Sequence, residues 1–178
     1  IPLTTDMAKV KTAIDAMTAV GETNIPLGMA WGWNTLSPVT TYWAAAEKGS
    51  AYGTKKLRKI IILMTDGENT MNDPSKGSLD SFYGGLGYIY QGILGITSGT
   101  SSARTTAINN RLSALCTNIK AKDITVYTVR VEVSSGTSTL LKNCASTPDK
   151  FYDVQDVADL NDAFTSIAAS IDNLRISK

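Results

Sequence analysis

The strongest constraint on this chain is the run Lys59-Ile60-Ile61-Ile62-Leu63-Met64, a short apolar, β-branched stretch that stops at Thr65-Asp66-Gly67. Its apolar residues do not alternate with polar ones. That is the pattern of a strand covered on both faces, as in a parallel sheet flanked by helices. Residues 124–133 form a second such run, and Phe151-Tyr152-Asp153 a short third. Helical patterns separate them, and this order predicts right-handed crossovers with helices on both faces. Three strands are few for such a sheet, so the sequence reads as an α/β domain lacking its first strand.

The helices follow from spacing. Residues 6–19 carry Met7, Val10, Ile14 and Met17 on one face, with Thr5 or Asp6 as the cap. Residues 25–36 are apolar nearly all round, with Pro26 in the first turn and Ser37-Pro38 as the stop, so Trp31 and Trp33 are expected in the core. A short helical turn is expected near 42–48. Residues 104–121 present Ile108, Leu112, Leu115, Cys116 and Ile119, and 139–145 form a short helix. Asp156 should cap a last helix with the stripe Val157, Leu160, Phe164, Ile167, Ala168, Ile171 and Leu174. Residues 67–103 read as one long Gly/Ser/Tyr-rich surface loop. Loops of that length are functional or poorly ordered.

Composition narrows the chemistry. At 178 residues the chain fits one domain. A net charge of +1 gives no reason to expect nucleic acid as a partner. The cluster Lys55, Lys56, Arg58 and Lys59 reads as a solvated strand entry. The chain has no histidine, which excludes Ser-His-Asp and Cys-His nucleophiles and His-based zinc sites. The stretch 84–90 follows no strand and lacks the last glycine of a dinucleotide fingerprint. No run reaches membrane-spanning length and no signal peptide is visible. The start at Ile1-Pro2-Leu3, without methionine, reads as a piece of a longer or processed protein. Cys116 and Cys144 are buried thiols in a cytosolic protein or a disulfide in an exported one.

Two polar sites stand out. Thr23 lies in a Gly-x-Thr turn before a helix, and Thr65-Asp66-Gly67 follows the first strand. The carboxyl edge of an open α/β sheet is where ligands bind. A hydroxyl and a carboxylate there are hard oxygen donors suited to Mg²⁺, Mn²⁺ or Ca²⁺. The plainer alternative is a Thr23 helix cap and an Asp66-Gly67 turn. Tyr83, Tyr88 and Tyr90 make the long loop a recognition surface, since tyrosine anchors contacts at low entropy cost.

The chain resembles the von Willebrand factor A (vWA) domain, in particular the C-terminal vWA region of TadG-like proteins of bacterial Flp/Tad pilus assembly. The resemblance rests on Thr23-Asn24-Ile25-Pro26-Leu27-Gly28-Met29, Leu36-Ser37-Pro38, Ile61-Ile62-Leu63-Met64-Thr65-Asp66-Gly67-Glu68-Asn69, Ile124-Thr125-Val126-Tyr127, Leu141-Lys142-Asn143-Cys144 and Ile171-Asp172-Asn173-Leu174-Arg175. It implies a single domain over 1–178 with a Rossmann-like three-layer α/β/α fold and a mostly parallel sheet. It also implies a metal-ion-dependent adhesion site (MIDAS) on three loops. Thr23 matches the second loop and Asp66 the third. The Asp-x-Ser-x-Ser of the first loop is absent, and Asp73-Pro74-Ser75-Lys76-Gly77 is no substitute. A divalent cation is therefore expected in an intact parent and not in this chain.

The resemblance further implies a non-enzymatic adhesion or assembly module. Glu68, Asn69, Tyr83, Tyr88 and Tyr90 would face a protein partner, and Cys116 and Cys144 would be bonded. The setting would be periplasmic or cell-surface, with membrane anchoring left to an upstream segment, and an open sheet edge would favour self-association. The alternatives are a Mg²⁺-dependent hydrolase or phosphotransferase using Asp66 and Glu68, and a structural subunit with a vestigial metal site.

Overall fold

The computed structural model describes residues 1–18, 21–39, 41–44, 47–71, 83–133 and 138–176, with side chains up to residue 172. Its centre is a parallel sheet of three strands, β1 (Lys59–Thr65), β4 (Ile124–Val131) and β5 (Phe151–Val154), in the order β1-β4-β5. The register pairs Lys59 with Ile124 and Thr65 with Arg130, then Thr128 with Phe151 and Val131 with Val154. A separate hairpin pairs β2 (Tyr83–Gly84) with β3 (Gly87–Tyr88). Among the described residues five α-helices accompany these strands: α1 (Met7–Asp15), α2 (Ile25–Leu36), α3 (Ser101–Lys120), α4 (Thr139–Cys144) and α5 (Leu160–Ile176).

Alternation along β4 divides the core into two layers. Ile124 and Val126 face Ile25 and Met29 of α2, Leu112, Cys116 and Ile119 of α3, and Cys144 of α4, with Ile61 of β1 among them. Tyr127, Val129 and Val131 face the other way, onto Ala163 and Ile167 of α5. The fold is therefore a three-layer α/β/α arrangement around a parallel sheet. Cys116 and Cys144 form a disulfide that joins α3 to α4 beside β4.

Several expectations change. β1 is at one edge of the sheet; its Ile60 packs against the α5 cluster, while Ile62 and Met64 are 39% and 51% exposed. The apolar run that reads as a doubly covered strand is well covered on one face only, with Lys59, Ile61 and Thr65 buried and Leu63 half-buried. α1 is capped by Asp6, whose carboxylate accepts from the Ala8 and Lys9 amides, and it ends at Asp15. It buries no residue, and Met7, Ile14 and Met17 are exposed. Residue 19, the expected end of that helix, lies outside the described residues.

Trp31 is 44% exposed and rests against Tyr42 and Trp43, with ring centroids 5.1 and 6.4 Å away. An all-round apolar helix does not place every tryptophan inside when its partners cover one side. Trp33 is half-buried, and its indole N–H donates to the Tyr52 hydroxyl at 2.9 Å. Near the turn expected at 42–48 the Glu47 amide donates to the Ala44 carbonyl at 2.9 Å, and residues 45 and 46 lie outside the described residues. In the stripe of α5 only Ile167 is deeply buried, while Val157, Phe164 and Ala168 are exposed. Asp156 caps the short 3-10 turn Val157–Asp159 that leads into α5. The side chain of Leu174 lies outside the described residues.

The expected 67–103 loop is built differently. Its latter part holds the β2–β3 hairpin, a 3-10 turn at Ile89–Gln91 and the first turn of α3, which begins at Ser101. Met71, Leu94 and Ile108 form a small core beneath it. Arg104, buried in α3, ties the segment down by donating to the Met71 carbonyl at 2.8 Å and the Gly99 carbonyl at 2.6 Å. Residues 72–82, including the Asp73–Gly77 stretch, lie outside the described residues.

Candidate functional site: the carboxyl edge of the sheet

At the end of β1 the chain turns sharply. The Gly67 amide donates to the Thr65 hydroxyl at 3.2 Å, and that hydroxyl donates to the Gly67 carbonyl at 3.1 Å. With Thr65 turned back on its own loop, Asp66 and Glu68 point outward and are exposed. The expected Asp66-Gly67 turn is present.

The Thr23 turn is stitched to this loop a few residues downstream. The Thr23 amide donates to the Thr70 hydroxyl at 2.9 Å, and the Thr70 amide donates to the Thr23 carbonyl at 2.9 Å. Asn69 completes the clamp. Its carbonyl oxygen accepts from the Ile25 amide at 2.8 Å, and its amide nitrogen donates to Asn109 of α3 at 2.8 Å. Asn69 is only 1% exposed, so it offers no contact to a partner; it joins two loops and a helix. This corrects its expected partner-binding role. Thr23 does not cap α2 either, since the Asn24 side chain does so by accepting from Leu27.

The three tyrosines gather on the hairpin. Tyr83 and Tyr88 meet edge to face with centroids 4.9 Å apart, and Tyr88 and Tyr90 stack at 5.7 Å. Tyr83 is 71% exposed and Tyr90 is also largely exposed. Gly87, at φ +86°, makes the tight turn that aligns the rings, a conformation side-chain-bearing residues rarely adopt. Gly85 lies so near α2 that a Cβ there would come within 2.7 Å of the Leu27 side chain. Between the hairpin and the Glu22–Asn24 turn lies a cavity of about 440 Å³, lined by Met71, Leu86, Ile89, Leu94 and Ile108 together with Tyr83 and Tyr88.

On the neighbouring strand stands a pair that spacing alone does not announce. Arg130, the register partner of Thr65, is buried and grips Asp153 of β5 with two bonds, Nε to Oδ1 at 2.7 Å and Nη2 to Oδ2 at 2.9 Å. The signal was a lone arginine inside the apolar run of β4 with an acid in the next strand. A guanidinium beside the rim opposes a divalent cation unless an anion offsets it, and Asp153 supplies that anion. Asp153 is thereby committed to Arg130 and not to Asp66.

For a hard cation the donor set is incomplete. Thr23 and Asp66 sit on loops of one rim, but a hydroxyl and one carboxylate fall well short of the roughly six oxygens that such an ion takes. Among the described residues no group of three or more His, Cys, Asp or Glu side chains could hold a metal ion.

No family model and no curated protein matches the chain. Two solved structures of proximal thread matrix protein 1 from the mussel byssus, in two crystal forms, are similar to it. One aligns with a TM-score of 0.49 at 15% identity over 90% of this chain, the other with 0.48 at 18% over 86%. In each case the alignment spans 28% of the longer mussel chain.

Proposed function

We propose that this chain is a non-enzymatic protein-binding module of vWA type, serving adhesion or assembly in a TadG-like pilus-assembly or surface protein. Recognition would take place at the carboxyl edge of the sheet. The observation that carries this reading is the pairing of a tyrosine surface, in which exposed Tyr83 and Tyr90 flank a half-buried Tyr88 that one meets edge to face and the other stacks on, with a rim that projects Asp66 and Glu68. Exposed tyrosines on a fixed hairpin are typical contact anchors. The clamp at Asn69 and Thr70 holds the rim in one geometry, which lowers the entropy lost on binding. Asp153 is held by Arg130 and so is not offered to Asp66 for acid–base work. The disulfide supports a periplasmic or cell-surface setting. A Mg²⁺, Mn²⁺ or Ca²⁺ ion would contribute in a parent that adds oxygen ligands to Thr23 and Asp66.

The test combines affinity capture with an activity assay. The immobilised chain should retain a protein from the envelope fraction of its source cells, and the Asp66→Ala/Tyr83→Ser/Tyr90→Ser variant should lose it. Retention unaffected by those changes would reject the rim as the binding surface. Phosphatase turnover with Mg²⁺ that disappears in Asp66→Ala would replace the binding reading with the hydrolase.

A further inference from the structure

The opposite end of the sheet carries its own feature. An open cleft of about 1070 Å³ lies at the amino edge, where β1 and β4 begin. Six cations line it: Lys55, Lys56, Arg58 and Lys59 from the approach to β1, and Lys120 and Lys122 from the end of α3. Asp123 is the only carboxylate among the lining residues. The whole chain has a net charge of +1, so this edge holds a local excess that the rest of the molecule balances. Six cations around one concavity raise the local concentration of anions.

These cations divide into two groups. Lys59 is buried and donates to the carbonyls of Leu36, at 2.6 Å, and of Ser50. Lys120 donates to the carbonyls of Asn143 and Ala145 at 2.7 and 3.2 Å. These two build the floor. Lys55, Lys56 and Arg58 are exposed and have no side-chain hydrogen bond or ion pair among the described residues. Lys122 is exposed as well, with its ammonium 5.9 Å from the centre of the Tyr52 ring.

We propose that this cleft binds an acidic polysaccharide, with Lys55, Lys56, Arg58 and Lys122 meeting its repeated carboxylate or sulfate groups. The lining favours that class over other polyanions. Thr54, Thr125 and Ser146 line the cleft; the Thr54 hydroxyl, which donates to the Ala51 carbonyl at 2.7 Å, and the Ser146 hydroxyl, which accepts from the Val126 amide at 2.9 Å, each keep a further hydrogen-bonding capacity that suits a hydroxyl-rich polymer. A protein partner would call for aromatic anchors, and Tyr52, the cleft's aromatic residue, already lies under the Lys59 ammonium at 4.3 Å. The same engagement removes a stacking platform for single-stranded nucleic acid. The disulfide belongs with an oxidising compartment, where nucleic acid is not the expected polymer.

Titration calorimetry of the whole chain with heparin and with polygalacturonate tests the proposal and separates sulfate from carboxylate recognition. Binding to either one, weakening as salt rises, is the expected result. The Lys55→Gln/Arg58→Gln/Lys122→Gln variant should weaken it by about tenfold or more, as for loss of several phosphate-type contacts. Lys9→Gln/Lys11→Gln/Lys142→Gln, with the same change of charge outside the cleft, should keep affinity within about twofold, because distant charges are screened. Lys55→Arg/Lys122→Arg should retain binding and shows that the positions tolerate substitution. Absence of binding to both polymers, equal losses in the two triple variants, or tighter binding of poly-glutamate or duplex DNA would each overturn the proposal.

Discussion

Arg130 and Asp153 lock β4 to β5 through a two-pronged ion pair, with the arginine side chain almost wholly enclosed and the aspartate partly open to solvent. Removing the aspartate leaves a guanidinium with little access to water. Asp153→Ala should cost about 2 kcal/mol, between the values for exposed and buried pairs. Adding Arg130→Met should recover much of that loss. Urea unfolding of the single and double variants measures the coupling.

The disulfide spans 28 residues of sequence and is enclosed between α3 and α4. A loop of that size contributes about 3 kcal/mol by restricting the unfolded chain. The Cys116→Ser/Cys144→Ser variant should lower the unfolding free energy by about that amount. Adding a reductant to the wild type should produce the same change, and none in the variant.

Asn69 joins the Thr23 turn to α3. In Asn69→Ala the buried Ile25 amide and the half-buried Asn109 side chain lose their partner. The expected loss is about 1–3 kcal/mol. Amide exchange should accelerate at Thr23 and Thr70 first, since their reciprocal bonds depend on that clamp. Equal exchange in wild type and variant would show that the rim is held some other way.

Tyr152 gives the stability an alkaline limit. Burial raises its phenol above the ordinary value of 10.0, and the nearby Tyr127 and Asp149 raise it further, against a small opposing effect of Lys150. The folded state therefore holds the phenolic proton more tightly than the unfolded chain does. This contribution is complete below pH 10.0 and is lost as pH rises through the higher folded value. Denaturation midpoints between pH 9 and pH 11 should fall more steeply in the wild type than in Tyr152→Phe.

β1 has no strand partner on its outer side among the described residues, and Ile62 and Met64 lie exposed next to that edge. An apolar edge without charged side chains along it is prone to pairing. Sedimentation at rising concentration should show self-association, which Ile62→Lys/Met64→Lys should reduce. Both residues are exposed, so the fold should tolerate the change.

The sheet was legible because β1 and β4 are short, β-branched and bounded by turns, and their starts agree with the pattern. What the run at β1 does not encode is its place in the sheet. A continuous apolar strand looks the same whether its second face is covered or bare, and nothing in the sequence separates the exposed Ile62 and Met64 from the half-buried Ile60. Trp31 shows the same limit on a helix. At the site, the Asp66 turn and the tyrosine surface were visible as residue types. The Asn69 clamp was not, because its partners Ile25 and Asn109 lie some 40 positions away on each side and nothing local marks them. Arg130 was missed because a charge in a strand has meaning only once its neighbour's acid is known.

The Cys116–Cys144 bond closes a loop that contains β4, the middle strand of the sheet. If the molecule works under tension, the 28 residues within that loop cannot be paid out, which withholds roughly 95 Å of contour length at full extension. Pulled from its ends, the oxidised chain should lengthen by that much less than the reduced one, with its central strand kept inside a covalent ring.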